Sequence, residues 1–177
     1  MSDFPPRHPH LPVLSSMSPE SIGLDGLFAS GASPASTAWP TANKAIYIPI
    51  TLRANFYVRR VFWVNGGTAN GNVDAGVYSL GGARLLSAGA TAQGTINAVQ
   101  SVALGTAVLL HPGSYYLALG LSSGTGTVFA WTSSARQLAA AGCAEQATAV
   151  ALPDPATFAT MAMTIAPIVG IADVTTI

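Results

Sequence analysis

Charged residues are scarce in this chain of 177 residues. Lysine and arginine together number 7, as do aspartate and glutamate, so only 8% of the residues are charged and the formal net charge is zero. Globular domains usually carry about 25% charged residues. Binding to nucleic-acid phosphates requires clustered basic residues, whereas the one adjacent pair, Arg59 and Arg60, is expected to point to opposite faces of a strand. We therefore expect no nucleic acid among the partners.

Cysteine and histidine are almost absent as well. Cys143 is the only cysteine, so no internal disulfide can form, and its alanine-rich surroundings favour a buried apolar role over that of a nucleophile. His8 and His10 lie in a proline-rich stretch, and His111 stands alone. No thiol or carboxylate lies at metal-ligand spacing from them. The sequence therefore predicts no metal site and no cofactor.

Long hydrophobic runs are missing, although the mean hydropathy is +0.45. The most apolar segments, 102–110 and 161–172, are shorter than the roughly 20 residues of a membrane-spanning helix. No basic region followed by an apolar stretch opens the chain, so we expect no signal peptide. An apolar, uncharged chain without a membrane span suggests a surface largely covered by partners. A monomer with a surface of Ser, Thr, Gly and Ala is the alternative.

One motif is typical of a hydrolase. Residues 120–124 read GLSSG and match the G-x-S-x-G nucleophile elbow, with Ser122 at the centre. That elbow requires a following helix and a later histidine, but a strand-like run follows here and no histidine comes after His111. The acidic residues are scattered singly, which argues against a pair of catalytic carboxylates. We interpret GLSSG as a hairpin loop and predict a protein that is not an enzyme and has no catalytic residues.

The N-terminal part is rich in proline. The first twenty residues contain five prolines, and a second Pro/Ser/Ala stretch follows at 30–43. Proline fixes φ and removes a backbone donor, so a helix or a central strand is disfavoured. We predict an extended arm over residues 1–43 and a domain over residues 44–177, with a floppy tail as the alternative. The apolar residues of the arm that could anchor it to a neighbouring surface are Phe4, Leu11, Leu14, Phe28 and Trp39.

From Lys44 onward, apolar and polar residues alternate as in strands that are bounded by glycine-rich loops. The stretch NVDAGVYSLGGARLLSAG, residues 72–89, contains two strands and a turn at Gly81 and Gly82. Pro49 indicates an edge or a bulge, and RQLAAAGCAEQA is either a short helix or a loop. Four further strands are predicted in NAVQSVAL, SYYLALGL, GTVFAWT and FATMAMTIA. The pattern favours an all-β fold, an antiparallel β-sandwich of the jelly-roll-like kind, preceded by the arm.

Alternation also predicts which side chains share a face. The first strand places its isoleucines opposite Tyr47, and a later strand places Tyr115 and three leucines opposite Tyr116. In the second strand, we expect one face to carry Phe56, Val58, Arg60, Phe62 and Val64.

Aromatic residues are the best candidates for a binding surface. Trp63, Tyr116 and Trp131, with Tyr57 and Tyr78, could stack against sugar rings. The alternative is that these rings fill the core of the sandwich or a subunit interface.

The segment 72–132, with its Val-x-x-Gly-Val-Tyr strand, glycine turn and later PGSYYLA strand, resembles β-sandwich modules of tailed-bacteriophage virion proteins. Such modules occur in capsid-decoration, head-fibre and tail-fibre components. The resemblance implies a non-enzymatic structural protein of the virion, commonly trimeric, that associates with copies of itself and with other virion proteins. A carbohydrate- or receptor-binding module that recognises host-surface glycan is the alternative function.

Overall fold

The computed structural model describes residues 13–15, 33–147 and 149–174, which form fourteen strands and one short helix. The elements, in chain order, are β1 (Val13–Ser15), β2 (Ala35–Ala38), β3 (Lys44–Leu52), β4 (Phe56–Val64), β5 (Asn72–Ser79), β6 (Arg84–Ser87), β7 (Thr91–Ala92), β8 (Val99–Leu110), β9 (Gly113–Leu121), β10 (Thr127–Thr132), α1 (Ala135–Ala140), β11 (Ala144–Gln146), β12 (Ala159–Thr160), β13 (Ile165–Pro167) and β14 (Val169–Ala172). The fold is the predicted all-β sandwich.

The larger sheet has seven strands. Six of them follow the order β12-β11-β3-β9-β5-β6, and β7 pairs with β5 beside β6. Every pairing is antiparallel. β11 pairs only with residues 45–47 of β3, so Pro49 lies in the half of β3 that keeps a single partner, β9. This position agrees with the predicted edge location of the proline.

The opposite layer consists of two smaller antiparallel sheets. One has the order β1-β14-β4-β8 and the other β13-β10-β2. Ile168, between β13 and β14, links them because its N–H donates to Phe129 O at 2.9 Å and its carbonyl accepts from Val64 N at 3.4 Å. An isolated bridge between Asn65 and Val128 adds a second connection.

The main core lies between the two layers. Strands β3, β5 and β9 contribute alternate residues from one layer, and β4, β10, β13 and β14 contribute from the other. Leu117, Leu119 and Leu121 of β9 point into this core, whereas Tyr116 and Ala118 point to the outer face of the larger sheet. The faces predicted for β3 and β9 are therefore confirmed.

The face predicted for β4 is wrong beyond Val58. A bulge lies between Val58 and Arg60, because their partners in β8 are Val108 and Ala103. An extra residue in a strand shifts the alternation of side chains. As a result Val61 and Trp63 join Val58 in the main core, and Phe62, although buried, does not belong to it.

The described part of the predicted arm is integrated into the sheets. β1 pairs with β14 and β2 pairs with β10. Trp39 is 1% exposed, belongs to the main core and donates its indole N–H to Lys44 O at 3.1 Å. The sandwich therefore begins before residue 44. Phe4, Leu11 and Phe28 lie outside the described residues, and for Leu14 the backbone pairing with Ile171 is the described feature.

Two other segments differ from the sequence pattern. FATMAMTIA is not one strand, since it contains β12, a non-strand stretch and the start of β13. GLSSG is not a hairpin loop, because β9 belongs to the larger sheet and β10 to the opposite layer, so the loop crosses between the layers.

The predicted short helix is α1, which begins with a capping box formed by Ser134 and Gln137. No helix within the described ranges is long and apolar enough to cross a membrane.

Candidate functional site

The three aromatic residues predicted to form one binding surface lie on separate parts of the sandwich. Trp63 is buried in the main core, where its indole N–H donates to Asn65 Oδ1 at 2.9 Å. Trp131 is half-buried and packs against the same core, while Tyr116 belongs to the outer face of the larger sheet. The predicted surface is therefore corrected, since a buried Trp63 has no ring face to offer a ligand.

Tyr116 belongs instead to an outer aromatic cluster, formed by Tyr47, Tyr78, Tyr116 and Phe158. The ring centroids of Tyr47 and Phe158 are 4.9 Å apart, and those of Tyr116 and Phe158 are 4.8 Å apart. Tyr47 also meets Tyr78 edge to face at 5.3 Å. Such tilted and edge-to-face contacts are the favoured geometry of packed aromatic rings. The cluster fills a second, smaller core on the outer side of the larger sheet.

Residues 149–158, the covering segment, close this second core. Leu152 is 1% exposed within it, and Tyr78 Oη donates to Pro153 O at 2.5 Å. Backbone hydrogen bonds join Ala149 N to Asn43 O at 2.7 Å and Ala156 N to Gly82 O at 2.8 Å. Burial raises the pKa of both Tyr47 and Tyr78 above the ordinary tyrosine value, so their hydroxyls stay protonated as donors.

The Asp74 carboxylate holds the covering segment against the outer face of the larger sheet. Its side chain is 0% exposed, and its two carboxylate oxygens accept from Ser87 Oγ at 2.8 Å and from Leu152 N at 2.9 Å. The Arg84 guanidinium contacts the carbonyl of Leu152, and Arg84 N donates to Asp154 Oδ1 at 3.1 Å. An unpaired carboxylate would be costly to bury, so these bonds explain how Asp74 can occupy an apolar strand.

An open cleft of about 540 Å³ lies beside these residues. Asp74, Arg84, Ser87 and Asp154 contribute polar groups to its wall, together with Leu86 and Ala151. All four residues make hydrogen bonds that hold the covering segment or the residues that support it. The polar groups of the cleft therefore hold the covering segment in place.

Glu145 clamps the stretch that follows the covering segment. Its Oε1 accepts from Lys44 Nζ at 2.6 Å, and its Oε2 accepts from the amides of Ala162 and Met163 at 2.9 and 3.2 Å. Burial alone would raise the pKa of this carboxyl, but the hydrogen bonds and the charge of Lys44 outweigh it and hold the pKa below the ordinary value. The ionised form of Glu145 is thus built into the fold.

The hydrolase motif has a structural role in this fold. Ser122 Oγ accepts from Asn72 N at 2.8 Å, and the strand β10, not a helix, follows it.

His111 contacts Asn55 Oδ1 at 3.2 Å. Burial raises the pKa of the Cys143 thiol to about 12, which leaves it protonated at neutral pH. Within residues 13–15, 33–147 and 149–174, no three His, Cys, Asp or Glu side chains are grouped to hold a metal ion.

The edge strand β8 is the most distinctive exposed feature. It has twelve residues, VQSVALGTAVLL, none of them charged and none proline, and only Leu110 at its end is buried. Among the described residues its only strand partner is β4. An edge strand presents unpaired N–H and C=O groups on its outer side, and natural edges are usually protected by charge, proline, shortness or a bulge. β8 has a four-residue irregularity at 104–107 opposite Arg59 and lacks the other three protections.

Exposed apolar side chains lie on and beside this strand. Val99 begins β8 and is 47% exposed, and Ile96, three residues earlier, is 50% exposed. Tyr57, which pairs with Leu109 of β8, is 49% exposed. By contrast, the covering segment buries much of the outer face of the larger sheet. Exposed apolar side chains therefore lie near both ends of β8, and two others, Leu80 (54% exposed) and Leu85 (38% exposed), lie at the turn after β5 and in β6.

Comparison of the chain with known proteins identifies no family to which it belongs. No family model matches the chain, and no curated protein or solved structure matches it. The function is therefore inferred from the exposed edge strand β8 and from the contacts of the polar residues.

Proposed function

We propose that this protein is a non-enzymatic structural component that associates with copies of itself. The observation that carries the proposal is β8, a long exposed edge strand without charged residues. The low total charge supports it, because a chain with zero net charge meets little electrostatic repulsion when copies approach. Polar groups that line the cleft beside the covering segment are engaged in structural contacts, which favours an architectural role over a catalytic one.

The proposed setting is the virion of a tailed bacteriophage, as a capsid-decoration, fibre or tail component. The segment that resembles virion modules spans β5 to β10 and includes the central strands β5 and β9 of the larger sheet. Apolar residues outside the described ranges, including Phe4, Leu11 and Phe28, are proposed to contact other virion proteins. A glycan-binding role has no comparable support, because Trp63, Tyr116 and Trp131 do not share a surface.

The solution molar mass of the full chain tests self-association. Light scattering across a hundredfold range of concentration should give a mass that rises to a defined multiple of the 17.9-kDa chain. A chain that stays monomeric throughout this range would contradict self-association. Binding of that monomer to a glycan array would then support the alternative function.

A further inference from the structure

The edge strand β8 can be assigned a specific occupant. We propose that β8 pairs with β8 of a second copy of this chain, antiparallel and about a twofold axis at Ala103, so that the four-stranded sheet continues across a dimer. This inference rests on the proposed self-association and names the surface and the partner. It differs from the trimer implied by the resemblance, because one edge paired with itself requires twofold symmetry.

Self-complementarity of the sequence is the first support. With Ala103 at the centre, an antiparallel register pairs Val99 with Ala107, Gln100 with Thr106, Ser101 with Gly105 and Val102 with Leu104. Residues directly opposite each other in antiparallel strands lie on the same face. The register therefore places apolar side chains against each other in two pairs, Val99–Ala107 and Val102–Leu104, polar side chains in Gln100–Thr106, and a serine against a glycine in Ser101–Gly105.

The position of the core gives a second support. Val102 and Leu104 are half-buried and pack against the main core. In the proposed register, Val102 of each copy lies opposite Leu104 of the other on this core-facing side. Dimerisation would thus extend the main core across the interface and bury apolar surface that a monomer leaves partly exposed.

Charge and side-chain size at the axis give a third support. β8 carries no charge, so no like charges face each other in a symmetric pair. Ala103 is exposed, and the residues nearest to it on the outer face, Ser101 and Gly105, are also small. On the same face the Arg60 guanidinium donates to Ser101 Oγ at 3.0 Å, so the small side chains that leave room for a second backbone are those of Ala103 and Gly105. The irregularity at 104–107 affects pairing with β4 but leaves these residues in the strand.

A charge-insertion pair tests the interface. Ala103→Lys places two ammonium groups opposite each other at the axis and should raise the dimer dissociation constant by about tenfold or more. Ala159→Lys is the matched control, since Ala159 is exposed and lies in β12 at the edge of the larger sheet. Sedimentation equilibrium of both variants gives the readout. Equal dissociation constants for Ala103→Lys and the wild type would overturn the inference.

Cross-linking tests the register without adding charge. Ala103→Cys should give a covalent dimer with a short bis-maleimide reagent, because opposite Cβ atoms in an antiparallel pair are about 4.5–5.5 Å apart. Thr160→Cys, exposed in β12, should stay monomeric, as should the wild type, whose Cys143 is buried. Equal cross-linking of both variants, or none for Ala103→Cys, would overturn the pairing.

The mass of the oligomer separates the two proposals. A trimer insensitive to Ala103→Lys would leave the proposed function standing and overturn the β8 pairing. A monomer at every concentration would overturn both. If Ala103→Lys lost its far-ultraviolet strand signal, the cross-linking pair would decide the pairing alone.

Discussion

Asp74 is the residue whose role depends most on the tertiary structure. It lies in the middle of an apolar strand, and its carboxylate joins Ser87 of β6 to Leu152 of the covering segment. Asp74 faces away from the main core, to which Val73, Ala75 and Val77 of the same strand belong. Its partners come from 13 and 78 residues along the chain, so no local sequence signal identifies them.

Replacing Asp74 should destabilise the protein strongly. Asp74→Ala leaves the buried amide of Leu152 without its acceptor, and we expect the free energy of unfolding to fall by about 2–4 kcal/mol. Asp154→Ala removes an exposed carboxylate and should cost less than about 1 kcal/mol. Urea denaturation of both variants measures the difference. Similar losses for the two would contradict the clamp role of Asp74.

Glu145 makes stability depend on pH. Its pKa in the folded state lies below the ordinary value of about 4.3 that it has when unfolded. A lowered folded pKa stabilises the native state above the unfolded pKa, and this contribution is lost as pH falls through the folded pKa. The wild type should therefore exceed Glu145→Gln in stability at pH 7, and the gap should narrow towards pH 3. Urea midpoints at both pH values test this, and a gap that does not change with pH would contradict it.

At the scale of elements, alternation predicts most of the sheet faces and fails where strand geometry is irregular. The strands β3 and β9 have the predicted inward and outward residues. β4 departs from the prediction at the irregularity between Val58 and Arg60, where Val58 and Val61 both face the main core, and the sequence of β4 does not mark this change of phase. The edge position of β8 is likewise a property of the topology, which sequence periodicity does not encode.

The tight contact between β5 and β6 predicts different outcomes for two glycines. A Cβ on Gly76 would lie 2.5 Å from Leu86 O, whereas one on Gly105 of β8 meets nothing within 4 Å. Gly76→Ala should therefore cost about 1–3 kcal/mol, and Gly105→Ala should change stability by less than about 0.5 kcal/mol. Thermal and urea denaturation provide the comparison. A neutral Gly76→Ala would show that β6 can move away from β5.

The start of the sandwich gives a prediction at the same scale. Trp39 precedes the predicted domain but is buried in the main core. Trp39→Ala should lower the free energy of unfolding by about 3–5 kcal/mol, whereas Thr41→Ala, at an exposed position, should be nearly neutral. If Trp39→Ala left the free energy of unfolding unchanged, the predicted separation of residues 1–43 from the domain would hold.

At the scale of the whole molecule, the structure shows where a chain with few charged residues exposes apolar side chains. The outer face of the larger sheet is partly closed by the covering segment, and exposed apolar side chains lie near β8 and at the turn between β5 and β6. Composition predicts that the surface is covered by partners but cannot say where. We propose that partners cover the β8 edge of the four-stranded sheet, and pairing of this edge with itself would require the proposed twofold symmetry.

Hydrogen–deuterium exchange of the unmodified full chain tests this account most directly. Exchange is measured at two concentrations, below and above the dissociation constant found by light scattering. We predict that amides in residues 99–107 become protected at the higher concentration, while those of β12 exchange equally at both. Exchange in 99–107 that is unchanged while the molar mass rises would contradict association through β8.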